Sequence, residues 1–123
     1  MNYVHTTKAP KAIGPYSQAI NYKGFLFTSG QIALDQNNNF INGDIEEQTH
    51  QVLKNLAEVL KTANYSFKNV IKVTIFLLNI QHFQKVNTIY AEHFSEHKPA
   101  RSTIQVAKLP MDALIEIEMV AVK

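Results

Sequence analysis

The run Asp44 to Leu78, DIEEQTHQVLKNLAEVLKTANYSFKNVIKVTIFLL, decides the fold. Asp44 with Glu47 three residues later has the spacing of a capping box, in which a side chain satisfies a backbone N–H that the first helical turn leaves without a partner. Val52, Leu53, Leu56, Val59, Leu60 and Ala63 then recur at three- and four-residue intervals, which draws one apolar stripe along a helix. Asn64 can close that helix. Val70 to Leu78 holds no glycine or proline and is rich in β-branched and aromatic residues, the composition of a central strand.

Outward from this unit, Ser17 to Tyr22 and Phe25 to Ser29 are β-prone runs separated by Lys23-Gly24, where glycine supplies the positive φ of a tight turn, so a hairpin is predicted. A further strand near Tyr3 to Thr6 is possible on the pattern. Asp35 to Gly43 reads as a loop with at most a short strand. Downstream, Phe83, Val86, Tyr90 and Phe94 form the apolar stripe of a second helix, which Lys98-Pro99 is expected to stop because proline restricts the residue before it. Strands at Arg101 to Ala107 and Leu114 to Val122, joined by the turn Leu109-Pro110-Met111-Asp112, complete the order β-β-α-β-α-β-β. This is an α+β fold in a single domain over residues 1–123, with a mixed sheet and two helices on one of its faces.

The last strand is apolar on both sides: Ile115, Ile117 and Met119 point one way, Leu114, Val120 and Val122 the other. Two helices cover only one face, and the second would expose more apolar surface than monomers usually carry, so a homo-oligomer is expected. The competing account folds the N-terminal segment and the 31–43 loop over that face.

Composition narrows the function classes. The formal net charge is +2, the lysines are scattered from Lys8 to Lys123, and Arg101 is the single arginine, a poor basis for binding nucleic acid. Without cysteine there is no disulfide, thiol nucleophile or thiolate metal site. No apolar leader opens the chain, and the longest aliphatic and aromatic run, Ile75 to Leu78, is too short to span a bilayer, so a cytoplasmic protein without membrane contact is expected. Gly14 and Gly30 stand alone, outside any phosphate-cradling motif, and no cofactor is expected.

Polar residues at apolar positions are the candidates for chemistry, because burying them is costly without a partner or a task. Asn87, at i+4 from Phe83, is expected to turn its amide inward, as a structural tether or as a site-lining group. Glu116 lies on a strand face with Leu114, Glu118 and Val120, where burial would raise its pKa and suit a proton shuttle. The alternative is a solvated edge pair with Glu118. Arg101 brings a rigid fork that matches a carboxylate in two parallel hydrogen bonds, against a structural salt bridge to Glu116 or Glu118. His93, Glu96 and His97 fit an H-x-x-E-H zinc pattern, but no third ligand is evident and Lys98-Pro99 cuts the helix short.

The segments IGPYSQA (Ile13 to Ala19), FTSGQI (Phe27 to Ile32), HKPARST (His97 to Thr103) and KLPMDALIEIEMVAV (Lys108 to Val122) together resemble the RidA/YjgF family of reactive-intermediate deaminases. The resemblance implies a chorismate-mutase-like fold and a homotrimer whose sheets form a central barrel, with sites in the clefts between subunits. It implies that Arg101 binds the α-carboxylate of a small imino or enamino acid and that Glu116 orients or activates water. Tyr16 and Ser29 are carried over as catalytic, and Asn87, Thr103 and Gly30 as substrate-binding. Thr103 departs from the family's usual cysteine; a contact made there through the backbone would tolerate the change. The implied reaction is hydrolysis of 2-aminoacrylate or 2-iminopropionate to pyruvate and ammonia, with no metal and no cofactor.

Overall fold

The computed structural model describes residues 1–123. The elements are β1 (Asn2–Val4), β2 (Ala19–Tyr22), β3 (Phe25–Thr28), α1 (Ile45–Thr62), β4 (Val70–Leu77), α2 (Phe83–Phe94), β5 (Ala100–Gln105) and β6 (Ile115–Val122), with single 3-10 turns at Phe67–Asn69, Ile80–His82 and Pro110–Asp112. One six-stranded sheet runs in the order β1-β2-β3-β6-β4-β5. Only β4 and β5 are parallel, as the α2 crossover between them requires; the other pairs are antiparallel.

Local signals act where they were expected. Asp44 caps α1, its carboxylate accepting the Glu47 N–H at 2.9 Å, and Asn64 follows the helix at φ 66°. Lys23 and Gly24 both take positive φ, 50° and 83°, the two-residue turn whose twist matches its flanking strands. The strand near the N-terminus exists as β1, paired to β2.

The second helix stops earlier than its proline predicts. It ends at Phe94, and Ser95 turns to φ 58°. A tertiary contact then holds the departing chain: the His97 ring nitrogen Nε2 hydrogen-bonds the Val70 carbonyl at 2.6 Å, at the start of β4. Asn87 is also corrected. The buried side of α2 is Val86, Ile89, Tyr90 and Phe94, which leaves Asn87 at its margin and only half-buried.

Strand alternation sorts the sheet into two faces. Val73, Ile75 and Leu77 of β4 and Ile115, Ile117, Met119 and Ala121 of β6 are buried in one core with Val52, Leu53, Leu56, Val59 and Leu60 of α1 and Val86 and Ile89 of α2. Burial of this set, at about 25 cal/mol per Å² of apolar surface, is the main force behind the fold. The 31–43 segment packs on the helix side, where the Asn55 amide of α1 donates to the Leu34 carbonyl at 2.7 Å. Neither it nor the N-terminal segment covers the outer face as a whole, since both reach this face only around Glu116, so the competing account does not hold for that face. Phe25, Phe27 and Ile104 remain 42%, 49% and 45% exposed there. The outer face is less uniformly apolar than the sequence suggested, since Lys72, Thr74, Glu118 and Ser102 also lie on it, with Lys72 Nζ donating to Ser102 Oγ at 3.0 Å.

Candidate active site

Four of the expected site residues meet in one open cleft. Tyr16, Ser29, Gly30 and Glu116 line a cavity of about 370 Å³ with Pro10, Ala12, Gln18, Gln31, Ile32, Leu34 and Pro110. Ser29 and Gly30 leave β3 and reach β6, where Gln31 and Ile117 exchange backbone hydrogen bonds at 2.9 and 3.1 Å. That pairing sets Gly30 directly against Glu116. A Cβ on Gly30 would stand 2.9 Å from Glu116 Cδ and closer still to Oε1, so only a bare Cα leaves room for the carboxylate.

Each wall of the cleft is fixed by the backbone. Gln18, buried beneath it, accepts the Thr6 N–H at 2.7 Å and donates to the carbonyls of Thr6 and Pro10 at 3.0 and 2.7 Å, anchoring the N-terminal segment that carries Pro10 and Ala12. Gly14, at φ 125°, turns the chain into Pro15 and the exposed Tyr16. Ser29 Oγ donates to the Ser17 carbonyl at 2.5 Å, which commits its proton and leaves its oxygen as an acceptor. Burial pushes the Glu116 carboxyl above the ordinary glutamate range, and the neighbouring Glu118 pushes the same way. Sequence reasoning missed Gln18, Gln31 and Pro110. The signal for the two glutamines was present as amides directly before the apolar pairs Ala19-Ile20 and Ile32-Ala33.

Arg101, Thr103 and Asn87 form a second cluster. Arg101 pairs with Val73 and Thr103 with Ile75, both on the helix-covered face, whereas Glu116 pairs with Phe76 on the outer face. The structure therefore separates Arg101 from Glu116 within one chain, and the proposed salt bridge to Glu116 or Glu118 is not formed. The single ion pair joins the exposed Lys108 and Asp112 at 3.9 Å. Instead the Arg101 guanidinium carbon lies 4.7 Å from the Tyr90 ring centroid and 5.6 Å from that of Phe83. Phe83, Asn87 and Tyr90 share one side of α2 at i, i+4 and i+7, so Asn87 lies on the helix side that carries both rings.

Two buried hydroxyls near this cluster, Tyr90 Oη and Thr103 Oγ1, have no hydrogen-bond partner in the chain. Burial pushes the Tyr90 hydroxyl up to about 12 against the pull of Arg101, so the ring stays neutral near pH 7.

The zinc pattern dissolves. His93 Nε2 lies 3.2 Å from His50 Nδ1 on α1, while His97, beyond the end of α2, bonds the Val70 carbonyl. No three His, Asp or Glu side chains converge as metal ligands. No helix is long and apolar enough to cross a membrane.

The family model described as Endoribonuclease L-PSP matches residues 6–123. A RutC family protein of Pyrococcus horikoshii is 50% identical over 121 residues, covering 98% of this chain and 96% of its own length. The human 2-iminobutanoate/2-iminopropanoate deaminase is 45% identical over 121 residues, 98% of this chain and 88% of the human protein. Among solved structures, Escherichia coli TdcF with bound serine superposes with a TM-score of 0.95 at 35% identity, covering 100% of this chain and 99% of that one. With a family model that spans nearly the whole chain and relatives at this identity over most of their length, the chain belongs to the RidA/YjgF family.

Proposed function

We propose that this protein hydrolyses reactive 2-imino acids and their 2-enamine tautomers, 2-iminopropionate to pyruvate and ammonia being the simplest case. Arg101 carries the reading. It is a half-buried guanidinium held between two aromatic rings, with no carboxylate partner in its own chain. Such a fork accepts a carboxylate in two parallel hydrogen bonds, and a 2-imino acid presents its carboxylate beside the reacting carbon. The human relative named for this activity, and the serine bound by TdcF, a small molecule with an α-carboxylate, support the same choice of ligand.

In this reading Arg101 and Glu116 act from different copies. Their side chains stand on opposite faces of the sheet, so each chain carries a carboxylate clamp and a water activator apart. A homotrimer that buries the exposed outer face in a shared barrel brings Arg101, Asn87 and Thr103 of one subunit to Tyr16, Ser29, Gly30 and Glu116 of the next.

Glu116 accepts a proton from water as the water oxygen adds to the imine carbon, and passes it to the imine nitrogen, giving a carbinolamine. It then relays the carbinolamine hydroxyl proton to the same nitrogen. The C–N bond breaks, and ammonia leaves as the ketone forms. Because the imine also hydrolyses unaided, positioning by Arg101 with one proton relay is sufficient.

The test generates the imine in situ with an amino-acid oxidase and follows ammonia release. Wild type accelerates release, and Arg101→Ala and Glu116→Ala fall to the uncatalysed rate. The serine held by TdcF also favours a second reading, a carboxylate-binding regulator without turnover. That reading takes over if wild type accelerates no imino acid while Glu116→Gln keeps full ligand affinity.

A further inference from the structure

The fork of Arg101 is useful only if it is held still, and nothing in the chain holds it by charge or hydrogen bond. An arginine side chain has many rotamers, and an unrestrained one loses that freedom when it clamps a ligand. What confines it is aromatic. The guanidinium carbon lies 4.7 Å from the Tyr90 centroid and 5.6 Å from that of Phe83, close enough for the ring faces to attract the cation. Tyr90 is itself packed in: it is 8% exposed, it stacks on Phe94 at 4.3 Å with rings 18° apart, and Phe94 packs on Phe67 at 4.7 Å. A fixed column of rings thus runs from the 3-10 turn before β4, through α2, to the guanidinium on β5.

We propose that Tyr90 is a positioning residue for ligand binding, its ring fixing the plane of the Arg101 fork before the carboxylate arrives. The inference rests on the reading of Arg101 as the carboxylate clamp. Tyr90 acts through its ring and touches no reacting atom. Its effect falls on binding, so removing the ring raises KM and leaves kcat nearly unchanged, since the proton relay belongs to the other cluster.

The chain's single arginine makes the test direct, because one Nε–Hε signal in a ¹⁵N-correlated NMR spectrum reports on it alone. In the full-length wild type without ligand, the ring currents of Tyr90 and Phe83 shift that signal upfield of free arginine. Tyr90→Leu moves it back toward the free value and raises KM for the imine by about fivefold, with kcat within about twofold, the size expected from losing one cation–π contact. Tyr90→Phe, which removes only a hydroxyl without a partner in the chain, leaves signal and KM in place. If Tyr90→Leu does not fold, Phe83→Leu, at the half-buried second ring, shifts the signal part of the way. An unmoved signal in a folded Tyr90→Leu protein, or a Tyr90→Phe protein as impaired as Tyr90→Leu, overturns the proposal. The signal is read without substrate, so it tests the positioning even if no imine is hydrolysed.

Discussion

Gly30 and Glu116 occupy one another's space: the carboxylate lies where a side chain at position 30 would have to be. The constraint is one of room, and it arises because Gln31 is hydrogen-bonded to Ile117 on both sides, which holds the 29–31 backbone against β6. Gly30→Ala must therefore push the carboxylate away or break that pairing. We expect kcat for imine hydrolysis to fall by about a hundredfold, the scale of a displacement near 1 Å in a positioned group, with the fold retained by circular dichroism. Unchanged kcat in Gly30→Ala would show that the position of the Glu116 carboxylate does not matter for turnover.

The parts of the fold that local chemistry dictates were legible in the sequence. Asp44 and Glu47 announced α1, Lys23-Gly24 the hairpin, and Val70 to Leu78 the central strand, since each signal lies within a few residues of the structure it makes. The end of α2 was not legible, because it depends on Ser95 turning left-handed and on His97 finding Val70, which is distant in sequence. Asn87 was misplaced because i+4 from Phe83 follows the edge of the stripe and not its centre at Val86, Ile89 and Tyr90. The sequence singled out the candidate residues one by one, but it did not show how the fold divides them between two faces. Which face Arg101 and Glu116 each take depends on the register of β5 and β6 against β4, a long-range pairing that alternation alone leaves open.

The Asp44 cap should be measurable as stability. Its carboxylate meets the Glu47 N–H at 2.9 Å, and no other side chain takes its place at the start of α1. Asp44→Ala should lower the unfolding free energy by about 1 kcal/mol and Asp44→Asn by less, because asparagine keeps an accepting oxygen. Urea titrations at one fixed protein concentration check this, concentration being held because assembly shifts apparent stability. Equal losses in the two variants would assign the effect to charge and not to capping.

The outer sheet face should be where copies meet. Phe27 of β3 is 49% exposed and Ile104 of β5 is 45% exposed, on strands that flank the polar residues of β6 and β4. Residues of this size rarely stay solvated in such number without a partner. Phe27→Lys combined with Ile104→Lys should convert the proposed trimer to monomer in sedimentation equilibrium and abolish turnover, while the inward-facing core remains intact. A monomeric wild type, or a monomeric variant with full activity, would refute the assembly of the site from two chains.

Glu116 should leave a signature in both stability and rate. Burial, helped by Glu118, holds its folded pKa above the ordinary 4.5. Below that value the carboxyl is protonated in folded and unfolded chains alike, and it contributes no pH dependence. As pH rises from 4.5 through the raised folded value, the unfolded chain releases its proton first, so the unfolded state binds fewer protons and stability falls. Glu116→Gln has no such proton to lose. Relative to wild type, it should therefore gain stability across that window and hold the gain above it, as read by urea titration at pH 4 and pH 8. Turnover runs the other way: if the carboxylate takes the proton from water, wild-type kcat/KM climbs as Glu116 ionises, with an acid limb above pH 4.5 that is missing from the residual rate of Glu116→Gln. A stability difference that stays flat from pH 4 to pH 8 would mean that Glu116 is solvated in the assembled protein. An acid limb at or below 4.5 would assign the proton relay to another group.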